Sequence, residues 1–139
     1  MSFAIKEGME IAVEKFAVIC FFLIGVSHIV QPRAWAEVFI RLREKGTTGS
    51  FINAWIHFPL GALIVAFHNV WHGIPAGLTV LGYAWVIKGF IYFVFPRHGL
   101  KVMGRVCLER AWHFVLGGIV MVALGGLLLF SLTSRGELL

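Results

Sequence analysis

Residues 111–132 read AWHFVLGGIVMVALGGLLLFSL. No Lys, Arg, Asp or Glu falls inside this run. Its length matches the roughly 20 residues that a helix needs to cross the hydrocarbon core of a bilayer. Three further stretches, about 11–30, 51–71 and 74–95, are apolar over a similar length. Lipid offers the backbone no water, so all four are expected to be helical. The expected fold is all-α: a four-transmembrane-helix bundle with one short interfacial amphipathic helix between spans 1 and 2. Residues 1–139 are read as a single integral membrane domain.

The stretch between spans 1 and 2 has a different character. Gln31 precedes Pro32, which suits a first helical position, and Gly46 suits a stop. Trp35, Val38, Phe39 and Leu42 recur at helical spacing, while Glu37, Arg41, Glu44 and Lys45 fall mostly elsewhere. A helix over about 32–45 is too short and too charged to span, and suits the headgroup layer. Gly46-Thr47-Thr48-Gly49-Ser50 reads as a turn, with Ser50 capping span 2. Trp71-His72-Gly73-Ile74-Pro75 reads as a tight turn that makes spans 2 and 3 antiparallel neighbours. The basic segment Leu100–Arg110 reads as an extension of span 4.

Composition agrees with this reading. Of the 139 residues, 59% are hydrophobic and 14% charged, with a mean hydropathy of +0.87. Soluble domains are about half apolar and roughly a quarter charged. An ordinary soluble enzyme, a disordered chain and a disulfide-rich module are therefore excluded. Cys20 and Cys107 form no CxxC pair. The segment Met1–Lys15 holds three Glu and two Lys, and no A-x-A exit follows, so the first apolar segment is expected to be retained. No nucleophile elbow, phosphate loop, HExxH or paired-carboxylate motif is present, which leans away from an enzyme.

The net charge of +5 comes from twelve Lys and Arg against seven acidic residues, all of them Glu. These charges flank apolar runs and form no single patch, so nucleic acid is not an expected partner. Arg33, Arg41, Arg43, Lys45, Arg97, Lys101 and Arg105 fall on one side of the expected membrane, and Lys6, Lys15 and Arg135 on the other. Seven against three places the first side in the cytoplasm and both termini outside. The expected location is a bacterial inner membrane. Gly82, Gly89, Gly117-Gly118 and Gly125-Gly126 are expected at close helix contacts.

Ionisable groups within spans are costly in lipid and call for partners. Span 2 puts Asn53, His57, Gly61, Val65, His68 and His72 along one face, and carries Pro59, which should kink it. His28, Asn53, His57, Lys88, Glu109, Arg110 and His113 fall at comparable depth and are read as one polar cluster in the cytoplasmic leaflet. Haem b bound between His57 and His113, or a quinone or anionic lipid headgroup held by the cluster, would use these groups. At the opposite end, Glu10 and Glu14 lie one turn apart, as do His68 and His72, with Asn69 alongside. Two Glu and two His are donors a divalent metal accepts. Isolated histidines at helical spacing are more often structural, so the leading expectation is no cofactor and no metal.

The ending of span 1, Gly25-Val26-Ser27-His28-Ile29-Val30-Gln31-Pro32, has the form G-x-x-H-x-x-x-P. In Gly25, His28 and Pro32 it resembles the small DoxX-like four-helix membrane proteins. The resemblance implies a four-helix membrane protein, in some cases associated with respiratory or redox complexes, and carries no catalytic residue. The leading functional expectation is a non-catalytic accessory or structural subunit. Its partners would be the lipid bilayer and other membrane subunits or further copies of itself. A cofactor- or lipid-binding module and a small oligomeric transporter or channel are the alternatives.

Overall fold

Proline and glycine set most of the helix boundaries. The structure is a computed structural model that describes residues 3–138; Met1, Ser2 and Leu139, the ends of the expected domain, lie outside the described residues. Its helices are α1 (Phe3–Val30), α2 (Pro32–Glu44), α3 (Thr47–Phe67), α4 (Ala76–Val94), α5 (Pro96–Met103) and α6 (Trp112–Ser134). A 3-10 turn, Leu108–Arg110, precedes α6. No strand occurs among the described residues. Three helical stretches are long and apolar enough to cross a membrane: Thr47–Phe67, Ala76–Val94 and Leu108–Ser134.

Helix α2 falls where Pro32 and Gly46 place it. Pro32 occupies the first turn of α2, although the Gln31 side chain makes no capping bond. Gly46 alone joins the C-cap residue of α2, Lys45, to α3, with φ at +59°. That left-handed conformation favours glycine. It turns the chain so sharply that Gly49 lies against the Leu42 carbonyl, where a Cβ would collide with backbone. Ser50 is not the cap of α3. It lies inside the first turn, and its hydroxyl donates to the Tyr92 carbonyl of α4 at 2.9 Å.

Three expected boundaries are corrected. Helix α1 starts at Phe3, well ahead of the apolar run. Helix α3 ends at Phe67, so His72 stands in the connection and not on the span-2 face. The cause is tertiary: His68 and Val70 are held by the Thr79 hydroxyl, which draws the chain out of helical geometry. Residues 100–110 do not extend α6. Pro96 opens the separate helix α5, which ends at Gly104, and the 3-10 turn follows.

The four long helices pack closely in two pairs, α1 with α6 and α3 with α4. Glycine allows each close approach. A Cβ on Gly25 would stand 2.9 Å from the Gly118 carbonyl oxygen, and one on Gly61 would stand 2.8 Å from that of Gly82. Gly89 receives Phe58 and Gly125 receives Phe21. Gly117 and Gly126 face open space and do not serve this packing. Between the pairs, Val13, Ala17, Phe21, Ile64, Leu78 and Leu128 form the larger core. A second core of Leu42, Ala54, Tyr92 and Met103 closes the end where α2 and α5 cross.

Candidate functional site

Two polar nodes lie between these apolar helices. The first is built on α3. Asn53 precedes His57 by one turn, and the His57 Nδ1–H donates to the Asn53 carbonyl at 2.9 Å. That bond leaves Nε2 as the acceptor, and Lys88 of α4 donates to it from Nζ at 2.9 Å. The Asn53 side chain is fully buried, and neither its oxygen nor its nitrogen has a hydrogen-bond partner.

The other members of the expected cytoplasmic-leaflet cluster do not join this node. His28 donates from Nδ1 to the Ile24 carbonyl at 2.8 Å and stacks on Trp35 with ring centroids 4.1 Å apart. Trp35 in turn donates to the Ser27 hydroxyl at 3.0 Å, and Phe114 flanks His28 at 5.6 Å. His28 thus pins α2 against α1 and α6. His113 sits beside Trp112 and lines an open groove of about 330 Å³ with Arg105, Arg110 and Phe114. Glu109 and Arg110 are exposed on the 3-10 turn. The packing of α1 with α6 and of α3 with α4 sends these residues in different directions.

The haem pair is therefore not assembled. Both ring nitrogens of His57 are engaged, and His113 is exposed in a different groove. The four donors expected for a metal are also dispersed. Glu14 and His68 meet, Glu10 pairs with Lys6 at 3.7 Å, and His72 is exposed. No group of three or more His, Cys, Asp or Glu able to hold a metal occurs among the described residues.

The second node is the meeting of Glu14 and His68, and it joins the two helix pairs. Glu14 of α1 is 1% exposed and His68 is fully buried. His68 Nε2 lies 3.3 Å from Glu14 Oε1, and His68 Nδ1 lies 3.2 Å from the Thr79 hydroxyl. The Thr79 hydroxyl donates to the Val70 carbonyl at 2.7 Å and accepts from the Val70 N–H at 3.2 Å. The other Glu14 oxygen pairs with Arg135, just beyond α6, and Arg135 also reaches Glu137 at 3.0 Å. An open crevice of about 460 Å³ adjoins the node, lined by Lys6, Glu10, Asn69, His72 and Arg135 among others.

Thr79 and Arg135 are the members that sequence reasoning missed. Both left a signal. Thr79 is the one hydroxyl-bearing Ser or Thr between residues 51 and 130, and Arg135 is the first Lys or Arg after Arg110. A lone hydroxyl in so long an apolar region has few partners other than a buried polar group. The chain matches no protein-family model, no curated protein and no solved structure.

Proposed function

We propose that the chain is a four-span integral membrane protein of a bacterial inner membrane, serving as a non-catalytic accessory or structural subunit of a larger membrane assembly. In this reading the apolar part of α1 is the fourth span, the termini lie outside, and the connections rich in Lys and Arg lie in the cytoplasm. The Glu14–Arg135 pair supports a shared side for the start of α1 and the end of α6.

The observation that carries the assembly reading is an aromatic patch on the outer face of α3 and α4. Trp55 is 68% exposed, eight residues into α3 and thus about 12 Å along it. It meets Phe93 edge to face at 5.8 Å, and Phe51 and Phe58 flank Phe93 at 6.0 and 5.9 Å. Tryptophan facing lipid favours the headgroup belt. An exposed Trp set among phenylalanines suits a protein partner, because Trp is enriched where interface energy concentrates.

Extraction of native membranes in mild detergent tests the reading. The chain is expected to migrate with larger membrane partners or further copies of itself, and Trp55→Ala is expected to release it. A monodisperse single-chain particle from the wild type would refute the reading.

A further inference from the structure

From Lys45 to Leu108 the chain holds five Lys and Arg and no acidic residue at all. Four of the five lie in connections or in α5, where water or headgroups reach them. Lys88 is the exception. It stands in α4 seven residues before Phe95, about 10 Å from that end. Its one polar contact is His57 Nε2, a neutral acceptor that takes one of three ammonium hydrogens and supplies no negative charge. Lys88 forms no ion pair with any described residue. An ammonium at this depth without a counter-charge is costly in lipid, and this half of the chain contains no carboxylate to provide one.

The surroundings of Lys88 indicate where the anion comes from. Lys88 lines a groove of about 400 Å³ between α4 and α5, together with Ile87, Ile91, Tyr92, His98 and Val102. Ile87 is 59% exposed, so the groove opens sideways along the apolar surface of α4. His98 and Val102 of α5 line the opposite wall of the groove. A single unpaired ammonium beside an apolar wall, with Ala84 and Ile87 on its midplane side, matches a molecule with an anionic head and a hydrocarbon tail. A soluble anion has no use for the apolar part.

We propose that the groove binds one anionic phospholipid of the cytoplasmic leaflet. Lys88 donates to its phosphate from the two N–H groups that His57 leaves free, and an acyl chain lies along Ile87 and Ala84, on the midplane side of Lys88. The Nδ1–H bond from His57 to the Asn53 carbonyl fixes the ring so that Nε2 holds the ammonium in place. The proposal rests on the membrane-spanning reading above and is independent of the assembly reading.

The test uses the full chain in mild detergent and native mass spectrometry with phosphatidylglycerol and phosphatidylcholine as competing probes. Wild type is expected to retain phosphatidylglycerol at least about fivefold better, the effect of one cation facing a net anionic headgroup instead of a zwitterionic one whose choline offsets the phosphate. Lys88→Met is expected to lose this preference, Lys88→Arg to keep it, and Lys6→Gln, at the other end of the molecule, to leave it unchanged. If Lys88→Met does not fold, thermal stabilisation of the wild type by phosphatidylglycerol but not phosphatidylcholine carries the test. Equal retention of the two lipids by wild type, an unchanged preference in folded Lys88→Met, or displacement of the lipid by inorganic phosphate would overturn the proposal. Equal retention of the two lipids by a wild type that still holds its partners would sink this inference alone.

Discussion

The Glu14 node predicts an ordering of stabilities that contact counting alone would miss. Arg135→Gln leaves a carboxylate that is 1% exposed with His68 as its remaining partner. Breaking a buried ion pair this way costs about 3–5 kcal/mol, and the low end applies because the Arg135 side chain is 37% exposed and water can enter its place. Glu14→Gln does the reverse. It strands Arg135, which water can solvate, so that part of the loss is only about 0–1 kcal/mol. His68 then keeps a weaker neutral partner, a loss of roughly 1 kcal/mol. Arg135→Gln should therefore be the more damaging change, by about 3 kcal/mol against about 1–2. The double variant should lose less than the sum, with a coupling of about 1 kcal/mol or more. Thermal unfolding in detergent, followed by circular dichroism, reads these as melting points lowered by roughly 3–5 °C per kcal/mol. Strictly additive losses, or Glu14→Gln melting below Arg135→Gln, would refute the picture of a buried acid neutralised across two helix pairs.

Two further outcomes are expected. Gly118→Ala would put a methyl within 2.9 Å of the His28 Cβ and should lower stability by about 1–3 kcal/mol, whereas Gly117→Ala meets nothing within 4 Å and should match or exceed wild type by about 0.5–1 kcal/mol. Melting points of the two neighbours decide it, and equal effects would contradict the α1–α6 packing. Single cysteines at Lys101 and Lys6, in a background lacking Cys20 and Cys107, should react with a membrane-impermeant thiol reagent from opposite sides of the membrane. Labelling of Lys101→Cys in intact cells would invert the proposed topology.

Local chemistry reaches the helices whose ends are set locally. Pro32 and Gly46 bound α2 because one fixes φ and the other adopts a positive φ, and neither needs a distant partner. The end of α3 was hidden for the opposite reason. Nothing within Phe67–Trp71 forbids helix; His68 and Val70 are drawn away by Thr79, which lies in the next helix. Helix α5 was hidden because Pro96 both stops one helix and starts another. The site shows the same division. His57 and Asn53 are one turn apart and their hydrogen bond follows from spacing, and the approach of Lys88 follows from depth on an antiparallel neighbour. The separation of His28 and His113 from that pair depends on which helices are mutual partners, and spacing within one helix carries no such information.

The pairing of α1 with α6 has a consequence for biosynthesis. Glu14 and Arg135 are 121 positions apart, so α1 leaves the ribosome well ahead of α6, its main companion. At 5–20 residues per second the interval is roughly 6–24 s. Throughout it Glu14 has no arginine to meet, and the face of α1 around Gly25 stays uncovered. The α3–α4 hairpin, by contrast, is complete as soon as its own short connection has been made. Maturation of the molecule is therefore expected to be a clasp closing late around a hairpin already formed, and the young chain depends on something else, lipid or an insertion factor, to shelter an acidic helix that has arrived early.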